Sequence, residues 1–184
     1  EGYFDVMALH DSGITNVVAS LGTALSRNQI TLLSRSTDSK KILLNFDSDS
    51  AGIRAANRAI SEVENLAIQG QLDLRVLQLP SGKDPDEFLR DNSSSDYEAL
   101  ASKSPLWMDW QIDQSLKDLD LSKSDQFQVA VSNLVNLLGK LPQTAIRTHY
   151  LQKVAQRLSG GQSRFALQLE EDLRNQISGQ RWHG

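Results

Sequence analysis

Apolar residues in the first hundred positions follow two patterns. Short aliphatic runs, Val17-Val18-Ala19, Ile42-Leu43-Leu44-Asn45-Phe46 and Leu72-Asp73-Leu74-Arg75-Val76-Leu77, have the length and residue types of β-strands. The run from Ile42 is continuous enough to be buried on both faces, as strands of parallel sheets are. Helix-like segments fill the gaps. Residues 5–11 end before Gly13, Ser26 and Gln29 have the spacing of a capping box, and residues 51–69 make a long Ala-rich helix closed by Gly70. The expected order is α-β-α-β-α-β-α, a parallel sheet covered by crossover helices.

From Ser95 onward the pattern is helical. Helices are expected over residues 95–103, with Ser95 and Glu98 as a capping box, and over 105–116, 124–138, 143–158 and 163–177. Phe127, Val131, Leu134, Val135 and Leu138 recur on one face, and the short connections favour a compact antiparallel bundle. The polar run Asp91-Asn92-Ser93-Ser94-Ser95 is the expected boundary, giving an α/β part over residues 1–92 and an all-α part over 93–184. The chain opens on Glu1-Gly2-Tyr3 without a strand to feed its first helix. It is therefore expected to be a fragment, with a buried strand before Glu1 and that carboxylate at the strand's C-terminal end.

Composition narrows the chemistry. The 184 residues include no cysteine, which excludes disulfides, thiolate metal ligands and thiol catalysis, so any metal here must bind oxygen or histidine. No apolar run approaches the roughly 18 to 20 residues that cross a bilayer. The net charge of -4 is unevenly spread. Acids outnumber bases up to residue 100, whereas no acid stands between Asp125 and Glu170, a stretch holding Lys140, Arg147, Lys153, Arg157 and Arg164.

Candidate chemistry gathers where strands end. In Phe46-Asp47-Ser48-Asp49-Ser50-Ala51-Gly52 two carboxylates separated by one residue leave a buried strand and enter a helix. Alternate residues of an extended segment point the same way, so both can face one cation. The next strand runs into Leu79-Pro80-Ser81-Gly82-Lys83-Asp84-Pro85-Asp86-Glu87, with the same spacing between Asp84 and Asp86. A structural reading stands beside this one: Asp84 before Pro85 is a good helix N-cap with Glu87 as partner, and Asp47 and Asp49 can cap the following helix. His10, His149 and His183 are scattered singly, and Trp107 and Trp110 share a helix face where core packing is the default. The combination favours a cation, because like charges about 4 Å apart repel by roughly 4 kcal/mol at an effective dielectric near 20. Hard oxygen donors without Cys or paired His point to Mg²⁺ or Mn²⁺ and phosphate chemistry.

Four ordered segments, Glu1-Gly2-Tyr3-Phe4-Asp5, Ala19-Ser20-Leu21-Gly22-Thr23, Phe46-Asp47-Ser48-Asp49-Ser50-Ala51-Gly52 and Gly82-Lys83-Asp84-Pro85-Asp86-Glu87-Phe88, closely resemble the Toprim domain of bacterial replicative DNA primases of the DnaG type. The resemblance covers about the first hundred residues, and the second half is similar, on less specific grounds, to the helical subdomain that follows Toprim in primases. It implies an α/β Toprim fold, a Rossmann-like parallel sheet with flanking helices, followed by an all-α bundle. By resemblance, Glu1 is the family's acid for metal binding or general base catalysis, Asp47 and Asp49 are its Asp-x-Asp metal ligands, and Asp84 and Asp86 are further acids of the cluster. Ser48 stands where variants of the family carry Gly. Gly2 and Gly52 would permit close backbone approach, Gly22 a tight turn, and Lys83 either a phosphate contact or a solvated loop charge.

The implied activity is Mg²⁺- or Mn²⁺-dependent joining of ribonucleoside triphosphates into short RNA primers on single-stranded DNA, in the bacterial cytoplasm at the replication fork. The resemblance also implies a replicative helicase as partner, through a domain expected to lie outside this chain, and no membrane. The acidic first half and sparse bases of the second argue against tight duplex binding by the chain alone. Two rivals remain. One is another Toprim or Asp-x-Asp phosphotransfer enzyme, such as a haloacid-dehalogenase-like phosphatase, which expects Thr or Val where Ala51 stands. The other is a noncatalytic module in which the acids are only caps.

Overall fold

Strand β1 (Lys41–Asn45) forms around the aliphatic run Ile42-Leu43-Leu44, and it pairs with β2 (Asp73–Leu77) in parallel, Lys41 opposite Asp73 and Asn45 opposite Leu77. A computed structural model describes residues 2–21, 25–47 and 49–180, and within those residues this pair is the whole sheet. The parallel connection requires a crossover, supplied by α3 (Ser50–Ile68). That helix buries Gly52, Ala56, Ala59, Ile60 and Val63, and its glycine and alanines let it lie close to its neighbours. Helix α2 (Arg27–Arg35) packs on α3 and β1, and Ser26 caps it as expected, its Oγ accepting from Gln29 N at 3.3 Å.

Successive strand residues point to opposite faces. Ile42, Leu44, Leu74 and Val76 are buried on one face. On the other, Leu43 and Leu77 join a cluster with Leu9 of α1 (Tyr3–Asp11), Ile14, Leu79, Phe88 of α4 (Pro85–Asp91) and Tyr97 of α5 (Ser94–Ser102). Helix α1 packs directly on α4.

The expected strand at Val17-Val18-Ala19 does not form; the backbone there is irregular. Val17 packs against the cluster while Val18 is 66% exposed, so the run has one inward residue and no ladder partner among the described residues. The observed order is α-α-β-α-β-α before the helical half. Pro105 also departs from expectation. Its carbonyl accepts from Val76 N at 3.2 Å, Leu106 bridges Arg75, and Arg75 Nη1 donates to the Ser104 carbonyl at 3.0 Å. Residues 104–106 thus cover the free edge of β2, and helix α6 (Trp107–Leu116) starts only after them.

Two compact units divide the chain, residues 1–110 and 111–184. Phe88 before the polar run at Asp91 and Tyr97 beyond it belong to one buried cluster within the first unit. Ser93 rather than Ser95 caps α5, its Oγ accepting from Asp96 N at 3.2 Å and Ser93 N donating to Asp96 Oδ2 at 2.9 Å. Three consecutive serines offer three caps, and this choice turns Tyr97 inward. The second unit contains α7 (Ser124–Gly139), α8 (Ala145–Leu158) and α9 (Ser163–Gln180), packed on one another around Leu134, Leu138, Leu151, Val154, Leu173 and Ile177. Trp107 and Trp110 are core residues of the first unit.

A Cβ built on Gly52 would lie 2.0 Å from the carbonyl oxygen of Asp47, so the turn from β1 into α3 closes only around a hydrogen. Gly52→Ala is expected to cost at least about 3 kcal/mol in urea unfolding, since the backbone itself must move. Gly179→Ala, where an added methyl meets nothing within 4 Å, should leave stability unchanged or raise it by up to about 1 kcal/mol. Equal effects of the two changes would contradict the packing described.

Candidate functional site

The parallel register places the C-terminal ends of β1 and β2 on the same sheet edge, with Asn45 and Leu77 as a pair. Asp47 follows β1 by two residues, and Asp49 is the N-cap of α3, its Oδ1 accepting from Gly52 N at 2.7 Å. Beyond β2 the chain makes a 3-10 turn over Pro80–Gly82, with Gly82 at φ 70°, a conformation that favours glycine. Asp84 then caps α4, its Oδ1 accepting from Glu87 N at 2.7 Å, with Pro85 pre-set for the first helical position. Asp86 pairs with Arg90 one turn on, and Lys83 pairs with Asp91. The Lys83 ammonium, through that hydrogen bond and its charge, holds the Asp91 carboxyl below its usual range.

The structural reading of the acid pairs is met: Asp49 and Asp84 are caps, and Asp86 has an arginine. Among the described residues no three Asp, Glu or His side chains stand close enough together to hold a metal. The gathered cluster expected of the four aspartates is thus not present among those residues. The physical reason is that helix N-termini and Arg90 already offset their charge. Glu1, Gly22, Ser48 and His183 lie outside the described residues. Capping leaves Oδ2 of Asp49 and of Asp84 as a further acceptor, and hard carboxylate oxygens suit a hard dication. Lys83 is partly exposed and paired with Asp91. Gly52 meets the close-approach expectation, whereas a Cβ on Gly2 would meet only Asp5 Oδ2, at 3.8 Å, an ordinary contact.

A hydrogen bond that sequence reasoning missed ties the end of β1 to α5. Asn45 Nδ2, on the last residue of β1, donates to Tyr97 Oη at 3.1 Å. The Tyr97 ring meets Phe88 of α4 edge-to-face, centroids 6.3 Å apart. Burial raises the Tyr97 phenol above its ordinary range, the Asn45 hydrogen bond opposes this, and the nearby Asp5 charge of α1 adds to it. The only signal in the sequence was an amide closing an otherwise aliphatic strand.

The remaining candidates are structural. His10 Nε2 lies 3.4 Å from the Val17 carbonyl, and His149 packs edge-on against Tyr150. The basic stretch of the second unit is partly consumed internally: buried Arg147 donates to the Leu141 carbonyl, and Arg157 pairs with Asp113.

Comparison with known proteins gives a consistent result. The family described as Toprim-like matches residues 1–89, and the DnaB-helicase binding domain of primase matches residues 108–163. The second match lies in the helical half, where helical periodicity carries no specific motif. A DNA primase of Synechococcus elongatus is 62% identical over all 184 residues, which are 26% of its length. The chain spans about a quarter of the length of such curated relatives. Among solved structures, a DNA primase domain from Pseudomonas aeruginosa is 31% identical with a TM-score of 0.67, over 93% of this chain and 52% of that one. A DnaG primase catalytic domain bound to ssDNA is 31% identical with a TM-score of 0.69, over 86% of this chain and 49% of that one.

Because the Tyr97 phenol is raised, its contribution to stability is fully present below the unfolded value near pH 10 and is lost as pH rises through the folded value. Urea stability of the wild type should therefore fall more steeply above about pH 10 than that of Tyr97→Phe. Identical slopes would contradict the buried phenol.

Proposed function

Because the chain belongs to the bacterial DNA primases of the DnaG type, we propose that it carries the nucleotidyl-transfer site of a primase, which joins ribonucleoside triphosphates into RNA primers on single-stranded DNA. The observation that supports this reading is the parallel register of β1 and β2, whose C-terminal ends share one edge and lead, one into the segment of Asp47 and Asp49, the other through a turn into that of Asp84 and Asp86. Residues 1–92 form the Toprim catalytic part in this proposal and residues 93–184 the helical part.

Asp47, Asp49, Asp84 and Asp86, with Glu1, would hold Mg²⁺ or Mn²⁺. The ion would bind triphosphate oxygens and offset charge developing on the leaving pyrophosphate. The protein's share is positioning and electrostatics. Asp49 and Asp84 are held at fixed places by the helix N–H groups they accept from, so neither must reorganise when a ligand arrives. Glu1 would act as a further ligand or as general base toward the primer hydroxyl. Lys83 would reach a phosphate only by leaving Asp91. Single-stranded DNA as template is supported by the ssDNA-bound relative, and a replicative helicase as partner of the helical segment by the match over residues 108–163.

The caps themselves favour a second reading, in which the acids serve the fold alone. Asparagine caps helices about as well as aspartate but lacks its charge. Asp49→Asn and Asp84→Asn should therefore keep urea stability within about 0.5 kcal/mol of wild type while weakening Mn²⁺ binding at least about tenfold. Equal Mn²⁺ binding by wild type and both variants would leave the acids as caps only. The isolated chain should prime poorly or not at all on a single-stranded template, its basic residues being few and partly paired; robust primer synthesis would contradict this.

A further inference from the structure

We propose that the cavity between the start of α8 and the end of α9 is a binding site for a small phosphomonoester. It belongs wholly to the second unit and does not depend on the aspartates of the first.

The cavity measures about 270 Å³ and is partly open. Two arginines line it, Arg147 from α8 and Arg174 from α9, together with the hydroxyl residues Thr144, Thr148 and Ser178. Leu151 and Ile177 give it an apolar wall, and no acid lines it among the described residues. Arg147 is 7% exposed and donates to the Leu141 carbonyl, so its charge is held in place by the fold. Arg174 is half-exposed, and its bond to Glu170, at 2.6 Å, takes one of five N–H donors.

The start of α8 adds potential of the same sign. Its first N–H groups have no acceptor within the helix, and no acid stands in its first turn. Thr144 does not cap it; the Thr144 hydroxyl donates instead to the Pro142 carbonyl at 3.4 Å. A buried guanidinium in such a turn is opposed both by its desolvation and by the helix dipole. An anion in the cavity offsets both. Guanidinium forks and hydroxyl donors match the several acceptor oxygens of a phosphate group. A bare phosphate ion fills only part of the cavity, and the apolar wall suits an attached organic group, as in small-molecule sites of about 300 Å³.

The test titrates the 184-residue chain with inorganic phosphate and with ribose 5-phosphate at constant ionic strength, following backbone amide shifts. Both probes should shift the amides of residues 144–148, ribose 5-phosphate binding at least about threefold more tightly. Arg174→Gln should weaken binding at least about tenfold, because it removes charge-assisted donors. Glu170→Gln should tighten it by about two- to fivefold, because it releases Arg174 from a competing carboxylate. The two changes break the same ion pair, so opposite effects on affinity separate ligand binding from a purely structural role. Arg164→Gln, an equal loss of charge outside the cavity, should change affinity by less than about twofold. A wild-type chain whose residues 144–148 shift with neither probe would overturn the site. Weakening by Glu170→Gln to the extent seen in Arg174→Gln would reduce the pair to a brace of the bundle, and equal weakening by Arg164→Gln would reduce binding to general charge. Equal affinity for the two probes would overturn the assignment to an organic phosphate.

Discussion

Parallel pairing of two five-residue strands is the constraint on which the rest of this molecule depends. An antiparallel pair would send the two acid-bearing turns to opposite ends of the sheet. A parallel pair sends both to one end, at the cost of a crossover helix long enough to return the chain. Helix α3 meets that requirement with Ala56 and Ala59 on its buried face, and Gly52 lets it begin directly over the Asp47 carbonyl. The absence of a side chain at one position thus fixes how tightly a carboxylate-bearing turn closes.

The aspartates serve two ends at once. A carboxylate at a helix N-terminus satisfies backbone N–H groups and meets the positive end of the helix dipole, so it is stable there without any ligand. The same attachment fixes its orientation. Caps and ligands are therefore compatible roles for Asp49 and Asp84, each of which has a second oxygen to offer. Asp86 is different, because Arg90 competes for its charge.

Much of this was legible in the residue pattern, and the exceptions have physical causes. Strands β1 and β2, the Ser26 cap and the long helix α3 were readable because aliphatic runs, capping spacing and alanine-rich periodicity are local signals. Val17-Val18-Ala19 misled because β-branched residues report propensity, while a strand needs a partner edge. Pro105 was read as a helix start, but its carbonyl is spent on Val76 N at the sheet edge. The contact between Phe88 and Tyr97 across the polar run at Asp91 is invisible without coordinates. At the site, the spacing of the acid pairs was evident, whereas the Asn45–Tyr97 link joins positions 52 residues apart and leaves no pattern.

The central claim is that acids from two strand ends serve one cation, and paramagnetic broadening of backbone amide signals by Mn²⁺ examines it most directly. The account predicts that amides around Asp49 to Gly52 and around Lys83 to Glu87 lose intensity together at the same low Mn²⁺ level. Broadening of one segment without the other, or centred instead on the exposed acids at Asp118 and Asp120, would contradict it.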